Sequence, residues 1–228
     1  MSNTIFIKNS LKENGYAFLK KFTPETSTLD LASSIGKPID ISSFAPHYKL
    51  RVVQELRPKA LDVAFSNHYH GNFGLNEYPA HSDLAHWNKP PRFLLLRSKI
   101  GTRGVATHIY TTQDLQKAIP TRLARDALFI PRKNASKIIP LPMMVSRTME
   151  FSLRWDSLFL TPINRSSKQC EEIIKSIEFQ SIKKEIILAE PGDTLIIDNW
   201  TALHGRGVVP QAEKFRILER VYLEEIYE

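Results

Sequence analysis

Two short segments far apart in the chain carry residue types that together could hold a metal ion. They are His81-Ser82-Asp83 and Asp198-Asn199-Trp200-Thr201-Ala202-Leu203-His204-Gly205-Arg206. Side chains on a strand alternate with period 2, so a His-x-Asp pair on one strand would project both groups from one face. Such a pair is common by chance and gains weight only from company. His204 supplies it, because it follows Leu195-Ile196-Ile197-Asp198, an apolar run that would carry it inward. Two imidazoles and one carboxylate on one side of a metal leave the other side open. Non-haem Fe(II) oxygenases need that arrangement to admit a co-substrate and O₂. With no thiolate ligand in the set, Fe(II) is favoured and Zn is a poorer second. The plain alternatives are a loop His and Asp, and a hydrogen-bonded core histidine. Arg216, twelve residues past His204, is a cation suited to holding an acid co-substrate, unless it merely lines a solvated strand edge.

Other residues could serve the same chemistry. His68 and His70 could bind a second metal, although no third ligand is evident nearby. His86 and Trp87 follow the first motif and could line a substrate mouth, while Asn76 and Glu77 precede it and could touch polar groups. Arg206 could contact substrate or sit in a surface ion pair. Arg154 and Asp156 could contact substrate, with a structural ion pair the stronger reading.

The elements that must position these groups follow from periodicity and breakers. Strands are expected at 4–8, 49–55, 92–98, 105–110, 152–155, 184–189, 194–198 and 215–224, with a Pro191-Gly192-Asp193 turn before the seventh. Helical spacing is expected at 9–18 (interrupted by Gly15), 27–34 with a Gly36/Pro38 stop, 112–128 with Pro120 as a break, and 166–177. Many short strands, with helices gathered in the first half and in one insertion, suggest an α+β protein built on a double-sheet jelly roll flanked by helices. Composition alone leaves another α+β fold open.

At 228 residues, with no repeat or linker-like tract, 1–228 is expected to be a single domain with its own core. Its single cysteine, Cys170, is expected to be a free thiol in a reducing compartment. No signal-peptide core or membrane-length apolar run is present, so a cytoplasmic protein with no membrane partner is expected. The net charge of +7 permits nucleic-acid binding. The basic residues are scattered, however, without an aromatic-interleaved stripe, and a small anionic substrate uses the same charge better. Nothing in the sequence speaks to oligomeric state.

The run Pro79-Ala80-His81-Ser82-Asp83, Pro90-Pro91 before an apolar strand, Gly192-Asp193, the late block through Arg206, and Arg216-Ile217-Leu218-Glu219-Arg220 resemble a known family. It is the taurine dioxygenase/clavaminate synthase-like Fe(II), 2-oxoglutarate-dependent oxygenases, and the resemblance in order and spacing covers most of the chain. It implies a double-stranded β-helix core, with a lid insertion at about 112–180 between the metal motif at 81–83 and the distal His and Arg at 204–220. It implies His81, Asp83 and His204 as iron ligands, with 2-oxoglutarate and O₂ as co-substrates. Arg216, helped by Thr107, would hold the far carboxylate of 2-oxoglutarate. Val105-Ala106-Thr107 departs from the usual Gly-Gly-acid-Thr pattern, which weakens the assignment of Thr107. Arg220 is then the candidate for an anionic group of the substrate, or for helping the co-substrate. Relatives often accept amino acids or their derivatives, with hydroxylation the default outcome and desaturation or ring closure left open by the sequence. Rival readings are a catalytically silent sensor of a small acid, a metal-independent binding or nucleic-acid-associated protein, and a Zn hydrolase.

Overall fold

Glycines and prolines punctuate the chain, and the apolar runs between them become strands that pair antiparallel throughout. The computed structural model describes residues 3–43, 50–132, 139–145 and 151–227.

The first element is a helix, α1 (Asn3–Asn14), where a strand was expected at 4–8. Ile7 and Leu11, one turn apart, are its buried residues, while Ile5 and Phe6 stand half exposed; this is the one-sided burial of a helix. Gly15, at φ +80°, ends it and releases β1 (Tyr16–Leu19). Helix α2 (Thr28–Ile35) starts where Ser27 Oγ accepts from the Asp30 N–H, and it leads straight into β2 (Gly36–Pro38).

Then follow β3 (Gln54–Leu56), α3 (Tyr69–Phe73), β4 (Tyr78–His81), β5 (Phe93–Ile100) and β6 (Ala106–Tyr110). The expected strand at 49–55 is reduced to β3, and Lys49 lies outside the described residues. Pro120 divides the predicted long helix into α4 (Thr112–Ala118) and α5 (Thr121–Asp126). The remaining elements are β7 (Leu128–Pro131), β8 (Leu141–Pro142), β9 (Leu160–Pro162), α6 (Arg165–Lys175), α7 (Ile177–Ser181), β10 (Lys184–Ile187), β11 (Thr194–Asp198), β12 (Leu203–Arg206) and β13 (Ile217–Ile226).

The larger sheet runs β1-β11-β5-β13, with β2 and β3 both against the far edge of β13. The smaller runs β10-β6-β12-β4, and a minor sheet, not anticipated from sequence, runs β8-β7-β9. Strands β5 and β11 are apolar along most of their length because both their faces are covered. Phe93, Leu95 and Ile196 face outward onto α1 and α2. Leu94, Leu96, Leu195 and Ile197 face inward and share a core with Ile109 of the smaller sheet. The α+β expectation holds, with two antiparallel sheets joined through one core.

A third core lies under residues 112–180. Phe129, Leu153, Trp155, Cys170 and Phe179 pack there with Ala80 and Leu203, the residues just before His81 and His204. The strand expected at 152–155 does not form. Its backbone bonds go to three different segments: Leu153 N–H to Trp200 O (2.6 Å), Arg154 N–H to Met143 O (2.7 Å), and Trp155 O from Ser82 N–H (2.7 Å). A segment shared among three partners cannot keep one ladder. It is a splice between the segments around Met143, Ser82 and Trp200.

Trp155, 1% exposed, is therefore a structural link. Trp155→Ala is expected to lower the free energy of unfolding by about 3–5 kcal/mol. Urea denaturation would measure this, and a change below about 1 kcal/mol would show that the insertion unfolds separately from the sheets.

Candidate metal centre

His81 ends β4 and sits directly opposite His204 of β12 in the antiparallel register. Opposed residues share a face, so the two rings meet with centroids 4.3 Å apart. Ala80 and Leu203 point the other way, into the core of the insertion. Asp83 lies beyond the strand, in a turn where Leu84 takes φ +54°, and not on the strand as simple alternation implied. Asn199, fully buried, holds that turn. Its Oδ1 accepts from Asp83 N–H (2.8 Å), and its Nδ2 donates to Asp83 O (2.9 Å) and Pro91 O (3.0 Å).

The ligating atoms of His81, Asp83 and His204 all lie within 4.8 Å of one another, the one such grouping of three among the described residues. Asp83 Oδ1 is 3.4 Å from His81 Nε2 and 3.5 Å from His204 Nε2. His81 Nδ1–H donates to Pro79 O (2.8 Å), which leaves its Nε2 lone pair turned toward the carboxylate. Asp83 Oδ2 faces away and accepts from Tyr222 OH (2.7 Å) and Arg220 Nη1 (2.9 Å). Arg220 Nη2 donates in turn to Gln54 Oε1 (2.5 Å).

Burial alone would raise the pKa of Asp83. The Arg220 guanidinium and the two imidazoles outweigh it and hold the carboxyl well below its usual range. Burial likewise opposes charge on His81, yet Asp83 pulls that imidazole upward overall. His204 goes down, first through burial and then through its neighbour His81.

The three ligands open into a cavity of about 350 Å³ that is also lined by Thr107, Arg206, Arg216 and Arg220. Arg216 immediately precedes β13 and is buried, with no hydrogen-bond partner for Nε or Nη2. Burial, then the nearby Arg206 charge, lowers its pKa to about 10, with Glu213 offsetting part of the effect. Thr107 is buried on β6, opposite Arg206 of β12. Arg206 lies over the Tyr78 ring and donates to the carbonyls of Gly74 (2.8 Å) and Asn76 (2.7 Å).

Apart from His68 and His70, the other sequence candidates stand outside the cavity lining. Arg154, 2% exposed, donates to the carbonyls of Ala85 (3.0 Å), Trp87 and Asn88 (2.9 Å), and so shapes the loop after Asp83. Asp156 accepts from the backbone of Leu158 (2.7 Å) and Phe159 (3.1 Å) and from Tyr69 OH (2.9 Å). Tyr69 lies against the His81 ring at 4.5 Å, so Asp156 reaches the centre through it. Trp87 packs against the inter-sheet core, and Asn76 is exposed. Glu77 pairs with Lys183 (2.6 Å) and faces His108 (3.1 Å). His86 faces the Phe159 ring at 5.1 Å. His68 and His70 lie at the outer end of the cavity with ring centroids 5.5 Å apart.

Tyr222, Tyr69 and Gln54 were not singled out from sequence. For Tyr222 the signal was present: it stands two residues after Arg220 on a strand and must share its face.

No protein-family profile matches the sequence, and no curated protein matches it in a sequence search. Solved structures do resemble it. PvcB from Pseudomonas aeruginosa is 20% identical at TM-score 0.67, with 97% of this chain and 80% of that chain covered. An asparagine oxygenase in complex with Fe(II), 2S,3S-3-hydroxyasparagine and succinate is 18% identical at TM-score 0.60, over 76% of this chain and 57% of that one. The non-haem iron oxygenase OrfP, with Fe and α-ketoglutaric acid, is 18% identical at TM-score 0.59, over 86% and 63%. This chain thus spans little more than half the length of the asparagine oxygenase. Two of these neighbours are oxygenases by name, and their complexes carry iron with succinate or α-ketoglutaric acid. The class defined here is one of fold: this chain shares theirs.

Removing the Asn199 side chain frees the turn that presents Asp83. Asn199→Ala is expected to weaken Fe(II) binding about 10- to 100-fold, the usual effect of losing a group that orients a metal ligand. Anaerobic Fe(II) titration would show it; wild-type affinity would mean that the turn holds itself.

Proposed function

We propose that the chain is a mononuclear Fe(II)- and 2-oxoglutarate-dependent oxygenase that oxidises a C–H bond of a small amino-acid-type substrate. The observation that carries this reading is Arg216: a buried guanidinium, with Nε and Nη2 unpartnered, in the same cavity as His81, Asp83 and His204. A buried charge without a partner costs several kcal/mol, so a site that holds one is built to receive an anion.

The residues fit iron. One carboxylate oxygen and two imidazole nitrogens suit Fe(II), and His81 already has its second nitrogen engaged. When bound, Fe(II) would supply the activation of O₂, the oxidant, with 2-oxoglutarate leaving as succinate and CO₂ and the second oxygen atom going to the substrate.

The chain's own residues do the rest. The Arg216 fork takes the far carboxylate of 2-oxoglutarate in two parallel hydrogen bonds, fixing orientation as well as charge. The Thr107 hydroxyl, buried in the same cavity, is a second donor to that carboxylate. Leu94, Leu96 and Leu218 line the cavity and keep water from the reacting atoms. Arg206 holds the 74–76 loop at the rim.

The two sheets are then the walls of a double-stranded β-helix, and 112–180 is a lid insertion within one 1–228 domain. The buried free Cys170 accords with a reducing, cytoplasmic setting. Hydroxylation of a small, anionic amino acid or derivative is the favoured reaction. The hydroxyasparagine and hydroxyarginine in the neighbours' complexes support it by likeness of fold. The described helices include none long and apolar enough to cross a membrane.

The test is anaerobic. Fe(II) is added to the apoprotein, 2-oxoglutarate is titrated in, and the visible metal-to-ligand charge-transfer band of the chelate is followed. A saturable band is expected. In Arg216→Ala the dissociation constant should rise about 30-fold or more, the scale of truncating one partner of a buried charge pair. Bound iron with no band would sink the oxoglutarate assignment.

A further inference from the structure

We propose that Tyr222 and Arg220 are positioning residues that hold Asp83 Oδ2 and so restrict Asp83 to a single coordinating oxygen, Oδ1. The inference rests on the iron reading above and adds to it a device that keeps the open side of the metal open.

A carboxylate can bind a metal through one oxygen or through both. Binding through both would consume a position that co-substrate or O₂ requires. Each carboxylate oxygen offers about two lone-pair sites. On Oδ2 two donors already sit at hydrogen-bond distance, Tyr222 OH at 2.7 Å and Arg220 Nη1 at 2.9 Å. Oδ1 has neither, and it faces the Nε2 atoms of both histidines.

The clamp is rigid because the sheet builds it. Arg220 and Tyr222 are two apart on β13 and opposite Leu96 and Leu94 of β5, so both face the inter-sheet core. Gln54 is directly opposite Arg220 in the β13–β3 register, and its Oε1 takes the Nη2 hydrogen bond. The Arg220 guanidinium also lies 4.9 Å from the Tyr222 ring centroid. Two donors of Arg220 are thus engaged at the metal ligand and at β3. The duty expected of it from sequence, an anionic group of the substrate, would compete with that engagement.

The experiment uses the full chain under anaerobic conditions with Co(II) as a spectroscopic probe and Fe(II) in parallel. Tyr222→Phe removes one hydroxyl and keeps the ring. Arg220→Lys keeps the charge and loses the fork. Tyr110→Phe is the control, since its hydroxyl donates to Gln180 Oε1 (2.7 Å), away from Asp83. Tyr222→Phe is expected to weaken Co(II) and Fe(II) binding about 10- to 100-fold. It should also lower the intensity of the Co(II) visible bands as Asp83 gains a second metal contact. Arg220→Lys should move the spectrum the same way, and Tyr110→Phe should match wild type. Arg220→Lys decides the matter if Tyr222→Phe does not fold. Wild-type affinity and spectrum in the Tyr222 and Arg220 variants, or the same change in the Tyr110 control, would overturn the clamp. Metal bound as in wild type but with no 2-oxoglutarate band would defeat the oxoglutarate reading alone, leaving the comparison of Co(II) spectra to judge the clamp.

Discussion

One carboxylate joins the two sheets. Asp83 Oδ1 faces His81 and His204 of the smaller sheet, while Oδ2 is held by Arg220 and Tyr222 of the larger. A buried carboxylate is stable as an anion only if its surroundings replace the water it has lost, and an isolated one would protonate instead. Here the guanidinium, the tyrosine hydroxyl and the two imidazoles make that replacement. The donors come from different sheets, so the spacing between the sheets is itself an electrostatic requirement. Leu94, Leu96, Leu218 and Ile109 fill the gap and set it. Close packing transmits any change of that spacing to the ligands, because a core filled to crystal density does not yield a fraction of an ångström freely.

The peripheral elements then have specific duties. Strand alternation turns His81 and His204 inward and Ala80 and Leu203 outward, so the core beneath residues 112–180 braces the ligand strands from behind. Asn199 joins the turn before β12 to the turn that carries Asp83, tying motifs 116 residues apart in sequence. Arg154, deep in the insertion, gathers the carbonyls of the 85–88 loop. Each link is polar and buried, where leaving one partner unpaired costs more than the bond contributes.

Several strands, and the three residues that could hold a metal, were legible in sequence because they depend on local pattern. The strand expected at 92–98 lies within two residues of β5, the one expected at 194–198 coincides with β11, and the Gly36 and Gly192 breaks and the Pro120 interruption fall where the structure has them. The misread elements turned on tertiary partners. Residues 4–8 have strand composition, but α2 and the outer face of the larger sheet offer a surface that a helix covers through Ile7 and Leu11. Residues 152–155 have strand composition, yet their hydrogen bonds are divided among three segments. At the site, residue types were readable and partnerships were not. Arg154 and Arg216 are both buried arginines in the sequence's list of candidates. Only the fold reveals that one spends both terminal nitrogens on loop carbonyls, with Nε left over, and that the other lines a cavity with two nitrogens unpartnered.

The same contrast explains the charge of the site. Arg206, Arg216 and Arg220 line one cavity, against the single ligand carboxylate of Asp83. Arg206 is stabilised by carbonyls and the Tyr78 ring, and Arg220 by Asp83 itself. Of these two, Arg220 keeps one buried donor, Nε, without a partner. Arg216 has two unpartnered nitrogens: burial and the neighbouring Arg206 depress its pKa, and Glu213 offsets only part of that. A divalent cation at the triad would deepen the positive potential. The combination favours a ligand with two negative charges at opposite ends, one for the metal and one for the guanidinium. An α-keto dicarboxylate meets that demand, whereas a monoanion would leave one cationic end uncompensated in a low-dielectric cavity.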